Sequence, residues 1–311
     1  MTPPVSVVAG RRIGQVTAAL ISLRPRQWVK NLFVFAGVIF SQNLVSPLIW
    51  PALGAFAVFC ALSGAIYLIN DVADMEKDRL HPTKRRRPIA SGALPRSTAL
   101  AFAAVLLAGS LGAAFRLSWP FGLTALAYGG LLVAYSAWLK HIVILDVLTV
   151  AMGFVLRAVA GAEAVGVEIS GWLVICTILI ALFLALGKRR HEYLTLQGDA
   201  AAHRPILAEY SEGFLDQMIA VVTASTVTAY ALYTMSPETV GKFHTRLLPL
   251  TLPFVLYGIF RYLYLLYRRD LGGNPSDLLL SDRALLVNTL LWMLALVVII
   301  YGPMWDPRFA R

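Results

Sequence analysis

The sequence predicts an all-α, polytopic membrane protein with nine transmembrane helices. The chain has 311 residues, of which 58% are hydrophobic and only 14% are charged. Uncharged runs of about 20 residues, long enough to cross a bilayer as an α-helix, recur along the whole chain. No stretch is left over for a separate soluble domain, so we expect residues 1–311 to form a single transmembrane domain.

The spans follow from these runs in chain order. Residues 31–70 contain no charged side chain, which is enough for two passes joined by a turn near Pro47. Seven further spans are predicted at 97–115, 117–139, 141–162, 169–187, 217–237, 247–267 and 284–305. Residues 1–26 are then an N-terminal segment, and residues 71–96 and 188–216 are loops.

The distribution of positive charge predicts the orientation. Of the 27 lysines and arginines, 21 fall on the same side as the N-terminus, five fall on the other side, and Arg157 lies inside a span. Cytoplasmic segments carry the excess of Lys and Arg, so we expect the N-terminus and both loops on the cytoplasmic side of the inner (plasma) membrane. The same distribution explains the net charge of +10 without nucleic acid as a partner.

Two further features of the chain are simple. The N-terminus shows no apolar core followed by a small-residue cleavage site, so no removable signal peptide is expected. Cys60 and Cys176 lie in different predicted spans without metal-ligand spacing, and we expect both to be small apolar side chains in the helix packing.

An acidic cluster follows directly on the second predicted span. If the helix continues, Asp71, Asp74 and Asp78 fall on one face, where like charges repel each other. A divalent cation would reverse that repulsion. Carboxylate ligands with positions left for water and phosphate oxygens are typical of Mg²⁺. The cluster therefore predicts a magnesium site that holds a diphosphate and stabilises its departure; the alternative is a solvated helix end balanced by the basic residues that follow.

Two groups of polar residues near the first spans have open interpretations. Lys30 and Asn31 precede the first span, where they either anchor the helix at the membrane interface or face an anionic substrate. Lys84 begins a basic run at residues 84–87, next to the acidic cluster. That run either contacts phosphate or serves topology and attraction to anionic lipid.

The end of the sixth span carries three successive cations. Lys188, Arg189 and Arg190 are followed closely by Glu192, which lies four residues after Lys188. A surface pair between Lys188 and Glu192 is one interpretation. We favour a phosphate-binding cradle, because a cradle better explains three successive cations that face an acidic metal site.

The fifth predicted span contains two charges that a lipid-facing helix avoids. Asp146 and Arg157 lie three turns apart on nearly the same face, about 16 Å along the axis, which is too far for a direct ion pair. An arginine at this depth costs about 2.5–3.5 kcal/mol on insertion scales, so we expect an interior polar cavity.

The pattern N-D-x-x-D-x-x-x-D at residues 70–78, with two spans before it and seven after, resembles the UbiA superfamily of intramembrane prenyltransferases. The resemblance covers essentially the whole chain. It implies a UbiA-like bundle of nine helices with a cytoplasmic-side active site, in which Mg²⁺ bridges two acidic motifs to a diphosphate. It further implies that Asn70 orients the diphosphate and that Tyr135 and Lys140 bind substrate.

The chain departs from this pattern at the second acidic motif, where residues 188–192 read K-R-R-H-E. Together with R-P-R-Q-W-V-K-N at residues 24–31, this resembles the branch of the superfamily that uses phosphoribosyl pyrophosphate as donor and a polyprenyl (decaprenyl) phosphate as acceptor. The resemblance implies a Mg²⁺-dependent phosphoribosyltransferase that releases pyrophosphate and supplies a precursor for cell-wall arabinan (arabinogalactan).

This resemblance assigns a function to each candidate residue. The metal ligands would be Asp71, Asp74 and Asp78. Glu192 would reach a ribose hydroxyl or a second Mg²⁺, and the lipid phosphate would lie near Lys30 or Arg157. The donor's 5-phosphate would contact a larger set of cations, namely Lys188, Arg189 and Arg190 with Lys140 or Lys84.

Two alternatives remain open at this point. The first is a prenyltransferase that moves a prenyl group from a prenyl diphosphate to an aromatic or quinone precursor. The second is a carrier for an anionic lipid or metabolite, which explains the cations but leaves the acidic cluster unexplained. Small residues on the spans also allow a homo-oligomer within the lipid bilayer.

Overall fold

The computed structural model describes residues 14–81, 83–195, 205–269 and 271–305. Within these ranges the chain forms α-helices and short 3₁₀-helices and no β-strand. The predicted all-α membrane fold is therefore confirmed.

The α-helices differ widely in length, from five to 25 residues. Their bounds are α1 (Gln15–Ser22), α2 (Ala36–Phe40), α3 (Ile49–Ala73), α4 (Met75–Leu80), α5 (Arg96–Leu117), α6 (Trp119–Ala137), α7 (Leu145–Val165), α8 (Gly171–Thr195), α9 (Glu212–Met235), α10 (Pro237–Phe243), α11 (Leu252–Arg268), α12 (Pro275–Ser281) and α13 (Arg283–Trp305). The 3₁₀-helices are Pro25–Phe35, Lys84–Arg86, Leu139–His141, Pro205–Glu209 and Leu248–Thr251.

Eight helices of the described part are long and apolar enough to cross a membrane. They are α3, α5 to α9, α11 with its preceding 3₁₀-turn, and α13. The predicted count of nine is not confirmed, and the difference lies at the first span. There, a 3₁₀-helix of 11 residues is followed by the short α2, so no long α-helix forms before α3.

Two glycines allow the 3₁₀-helix Pro25–Phe35 and α2 to lie directly on α7. A Cβ atom at Gly161 would be 1.8 Å from the carbonyl oxygen of Val34, and one at Gly37 would be 2.7 Å from the backbone nitrogen of Ala162. No larger residue fits at such a crossing. This close packing fixes the 3₁₀-helix against the membrane span α7.

The chain divides into two compact units. The first unit comprises residues 1–25, described from residue 14, together with residues 60–110, and it contains the acidic cluster. The second unit comprises residues 26–59 and 111–311 and contains the remaining predicted site residues. In the second unit α8 packs against α7 and α9, around a buried core that includes Phe183, Leu215 and Tyr262.

Serine side chains fix the starts of three helices in the second unit. Ser118, Ser211 and Ser236 each accept a hydrogen bond of 3.2 Å from the backbone N–H three residues later. This N-cap satisfies one of the donors that the first turn of a helix leaves without a partner.

The predicted loops are partly helical. The α8 helix continues through Thr195, so residues 188–192 lie on a helix and the prediction of a loop over 188–216 is wrong there. Ion pairs from Glu192 to Lys188 and Arg189, one turn earlier, stabilise this extension. Likewise, α3 and α4 occupy the start of the predicted loop at 71–96. Residues 1–13 of the N-terminal segment and 196–204 of the second loop lie outside the described residues.

Candidate active site

In the first unit two buried carboxylates converge on one arginine. Asp71 lies near the end of α3 and Asp78 lies in α4, and each is only 3% exposed. Arg87 Nη1 donates to Asp71 Oδ1 at 3.0 Å and to Asp78 Oδ2 at 2.7 Å. Because both oxygens contact the same nitrogen atom, they cannot be farther apart than the sum of these distances. The two carboxylates therefore share one face, as the sequence predicts.

Asp74 occupies the junction between the two helices. It is the residue between α3 and α4 and is half-buried. Its N–H donates to the carbonyl of Asn70 at 2.9 Å, and its carbonyl accepts from the N–H of Asp78 at 2.8 Å. These helical hydrogen bonds across the junction keep Asp71 and Asp78 in register.

Arg24 is a second arginine at the acidic cluster, and the sequence analysis did not assign it to the site. Its Nη2 donates to Asp71 Oδ1, and its guanidinium lies 4.7 Å from the ring centroid of Tyr67. Its backbone is left-handed, with φ at 53°, which is rare and strained for a residue other than glycine. The only sequence feature that Arg24 and Arg87 share is that a proline follows each of them.

The acidic cluster fits a magnesium ion as a two-carboxylate site. Proteins hold Mg²⁺ with one or two carboxylates and leave the other positions to water and substrate phosphates. Asp71 and Asp78 meet this requirement, because one oxygen of each already contacts a single cationic group. Among the residues that the structure describes, no three His, Cys, Asp or Glu side chains form a metal site by themselves. A cation at this position would therefore depend on a bound diphosphate for its remaining ligands.

In the second unit Arg189 is held inside a buried ion-pair network. Its Nε donates to Asp146 Oδ2 at 2.5 Å, its Nη1 donates to Glu192 Oε2, and its Nη2 donates to the hydroxyl of Tyr135 at 3.3 Å. The Asp146 carboxyl is 0% exposed and also accepts a 2.7 Å hydrogen bond from the hydroxyl of Tyr210. The network joins α6, α7 and α8 to the segment that precedes α9.

Tyr210 is a second residue that the sequence analysis missed. Its oxygen accepts a 2.9 Å hydrogen bond from the N–H of Ile144, whose φ is 69°. Burial raises the pKa of Tyr210 to about 12, so its hydroxyl stays protonated and donates to Asp146 at neutral pH. A tyrosine in a predicted loop carries no sequence signal for this contact, because its partners are distant in the chain.

The predicted cradle of three cations is not formed as one group. Arg190 turns towards α9, where its Nε donates to Asp216 at 2.6 Å and its Nη2 donates to Glu212 at 2.7 Å. Lys188 is 45% exposed, with its Nζ 3.5 Å from Glu192 Oε1. Lys188 and Arg189 therefore share Glu192, whereas Arg190 binds different acids.

Arg157 lies in the interior of the second unit. Its Nε donates to Asn31 Oδ1 at 2.8 Å, its Nη1 to the carbonyl of Gly153 at 2.8 Å, and its Nη2 to the hydroxyl of Tyr128 at 2.6 Å. As the spacing predicts, Arg157 does not pair with Asp146. Two charges of one helix thus belong to two different polar networks.

The other predicted binding residues are more accessible. Lys84 is exposed in the 3₁₀-helix Lys84–Arg86, and Lys30 and Lys140 are half-buried. Cys60 is buried, as expected, whereas Cys176 is half-buried, and both are free thiols.

Asp282 is a further acid of the second unit whose carboxylate has partners in two helices. Its two oxygens accept from Arg261 at 3.2 and 2.7 Å, and its Oδ1 also accepts from the N–H of Leu285 at 2.8 Å. Asp282 therefore caps α13 and ties it to α11. Asp277, by contrast, accepts a 2.6 Å bond from the nearby Asn274.

Comparison with known proteins gives the following relatives. Residues 31–278 match the UbiA prenyltransferase family. The chain is 35% identical over 294 residues to a decaprenyl-phosphate phosphoribosyltransferase of Corynebacterium glutamicum, covering 90% of this chain and 86% of the relative. It is 31% identical over 299 residues to a protein of the same name from Mycobacterium tuberculosis, covering 94% of each chain.

A solved structure shows the same fold. It is a UbiA homologue from Archaeoglobus fulgidus bound to GPP and Mg²⁺, with a TM-score of 0.70 and 21% sequence identity, covering 91% of this chain and 99% of that chain. At this identity the likeness concerns the fold alone.

Proposed function

Because this chain belongs to the UbiA prenyltransferase family and is therefore a multi-pass membrane transferase, we propose that it transfers a 5-phosphoribosyl group. The donor is phosphoribosyl pyrophosphate, and the acceptor is the phosphate of a polyprenyl phosphate such as decaprenyl phosphate. One observation carries the proposal: two relatives named decaprenyl-phosphate phosphoribosyltransferase match this chain over 86% and 94% of their own lengths.

The reaction exchanges one bond at the ribose. An oxygen of the lipid phosphate attacks C1 of the ribose, and the bond from C1 to the pyrophosphate oxygen breaks, so that pyrophosphate leaves with the electron pair. The attacking oxygen is already anionic, so no general base is required. The protein then acts by positioning the reactants and by electrostatic stabilisation of the leaving group.

The first unit supplies the diphosphate site in this proposal. Asp71 and Asp78 hold the metal, with Asp74 and Asn70 at the helix junction beside them. Magnesium, when bound, neutralises charge on the departing pyrophosphate. Arg24 and Arg87 form ion pairs with Asp71 in this structure. When a metal ion takes their place at the carboxylate, both arginines can pair with phosphate oxygens.

The second unit supplies cations for a phosphate group. Lys188 is the most accessible of the three predicted cations, and it shares Glu192 with Arg189. We assign Lys188 to phosphate binding, with Lys140 assisting, and Glu192 to a substrate hydroxyl. Arg190 is saturated by two acids of α9 and is assigned to holding α8 and α9 together.

The product, a polyprenyl phosphoribose, would be a precursor of the arabinose donor for arabinogalactan. The positive-inside distribution of charge supports a cytoplasmic N-terminus and active site. Single cysteines placed at Lys84 and Lys242 in a cysteine-free variant test the orientation, because a membrane-impermeant maleimide should label only position 242 from outside the cell.

The experiment is pyrophosphate release by purified protein given phosphoribosyl pyrophosphate and decaprenyl phosphate, with and without Mg²⁺. We expect metal-dependent release that requires both substrates and falls about a hundredfold or more in Asp71→Asn and Asp78→Asn. Glu76→Gln is the matched control, because Glu76 is an exposed acid of the same α4 that forms an ion pair with Arg79. It should keep wild-type activity.

Two results would overturn the proposal. If pyrophosphate is released only from a prenyl diphosphate with an aromatic acceptor, the protein is a prenyltransferase. Counterflow of an anionic lipid across proteoliposomes without any pyrophosphate release would make it a carrier.

A further inference from the structure

The buried Arg157 lacks an anionic partner among the residues that the structure describes. It is 5% exposed and lies in α7, a helix long and apolar enough to cross a membrane. Its three hydrogen bonds go to a side-chain amide, a backbone carbonyl and a phenol, all of which are neutral acceptors. The positive charge is therefore hydrogen-bonded but not neutralised.

The other buried arginines of this unit are different. Arg189 contacts two carboxylates, and so does Arg190. Burial of a charge is strongly unfavourable unless an opposite charge accompanies it. Within one unit the chain supplies acids to two of its buried arginines and leaves Arg157 to neutral groups.

The guanidinium of Arg157 also has N–H donors that these hydrogen bonds do not use. A guanidinium carries five N–H groups, and the three hydrogen bonds above use three of them. The rings of Tyr128 and Phe154 lie 4.7 and 5.1 Å from its central carbon, which keeps the plane of the group in place. Two N–H groups thus remain on a fixed, positively charged plane.

We propose that Arg157 is the counter-ion and binding group for a phosphate monoester. The two remaining N–H groups belong to Nη1 and Nη2 and can donate to phosphate oxygens, and a phosphate supplies the negative charge that the described residues do not provide. This inference rests on the proposed function for its ligand, since both the polyprenyl phosphate and the 5-phosphate of the donor carry a phosphate monoester. Asn31 and Tyr128 are positioning residues, which hold the guanidinium from the 3₁₀-helix Pro25–Phe35 and from α6.

The sharpest variant is Asn31→Asp. It keeps the shape of the side chain but puts a carboxylate at the oxygen that accepts from Arg157 Nε at 2.8 Å. This variant supplies the missing anion from the protein itself, so it should fold and should compete with a bound phosphate. Arg157→Gln removes the charge directly. Arg261→Gln is the control, because Arg261 already pairs with Asp282 at the edge of α11.

The experiment measures equilibrium binding of farnesyl phosphate and of farnesol to the purified full-length protein in detergent. We expect the wild type and Arg261→Gln to prefer the phosphate over the alcohol. In Asn31→Asp and Arg157→Gln this preference should fall about ten- to a hundredfold. A parallel arm uses ribose 5-phosphate: loss confined to farnesyl phosphate identifies the acceptor, and loss confined to ribose 5-phosphate identifies the donor.

An unchanged phosphate preference for both ligands in Asn31→Asp would overturn the inference, even if Arg157→Gln does not fold. Binding requires no turnover, so failure of phosphoribosyl transfer leaves this result intact. Conversely, if the enzyme transfers phosphoribose but Asn31→Asp does not change its preference for phosphate, the proposed Arg157 site is refuted and the proposed function is not.

Discussion

Substitution of Asp146 tests the buried network around Arg189. Asp146→Asn keeps the size of the side chain and one acceptor oxygen for Tyr210, but removes the charge that faces Arg189 at 2.5 Å. Removal of one partner from a buried ion pair costs about 3–5 kcal/mol, because the other charge stays buried without compensation. Glu192 still contacts Arg189, so we expect the lower end, about 3 kcal/mol.

The assay is thermal unfolding of purified protein in one detergent, followed by intrinsic fluorescence. At about 2–4 °C per kcal/mol, the loss corresponds to a melting temperature about 6–12 °C below that of the wild type. The Glu76→Gln variant should melt like the wild type, because the side chain of Glu76 is 74% exposed and its ion pair with Arg79 lies at the surface.

A double variant separates lost charge from lost packing. Asp146→Asn combined with Arg189→Gln leaves neither charge unpaired, so it should be less destabilised than the sum of the two single variants. The reasoning fails if Asp146→Asn melts within about 2 °C of the wild type or if the two single effects simply add.

Three further predictions concern packing, pH and metal. Gly161→Ala should prevent stable folding, because the added Cβ would overlap a backbone oxygen. Gly153→Ala should give the wild-type yield in size-exclusion chromatography, because the nearest atom to its Cβ would be 3.6 Å away. Equal yields of the two variants would contradict the packing. Hydrogen bonds from Arg261 lower the pKa of Asp282 below its ordinary 3.8, so the stabilisation is present above that value and is lost as pH falls through the folded pKa. The melting difference between wild type and Asp282→Asn should therefore stay constant from about pH 7 to 5, start to shrink as pH falls past about 4 and vanish only below the folded pKa, and a difference that grows on acidification would refute it. Arg87→Ala should strengthen Mn²⁺ binding about tenfold without substrate, as measured by electron paramagnetic resonance, because a competing cation is removed; an unchanged affinity would show that Arg87 does not compete.

The sequence predicted the elements whose signals are local. Long apolar runs located the seven spans after the acidic cluster, although α8 continues eight residues beyond its predicted end at 187, and the spacing of Asp71 and Asp78 placed both on one face. The separation of Asp146 from Arg157 correctly excluded an ion pair between them. Each of these inferences depends on helix geometry alone, which neighbouring residues determine.

The partners of these residues could not be predicted. Asp146 meets Arg189 across 43 positions and Tyr210 across 64, and no periodicity connects such distant segments. The 3₁₀ geometry of the segment before α3 could not be predicted either, since hydropathy does not distinguish a 3₁₀-helix from an α-helix. Only the glycines that bring this segment against α7 reveal why the irregular geometry is stable there.

The two polar networks of α7 also differ in the order in which the ribosome delivers their parts. The partners of Arg157 in earlier elements, Asn31 and Tyr128, precede it by 126 and 29 positions, so they are already synthesised when it emerges. Asp146 instead precedes its partners by 43 and 64 positions, which at cellular rates of synthesis corresponds to several seconds. During biogenesis the start of α7 therefore has to keep a carboxylate near water or the insertion machinery until α8 and Tyr210 arrive. The final placement of α7 in the membrane is a late event of assembly, although its sequence is complete early.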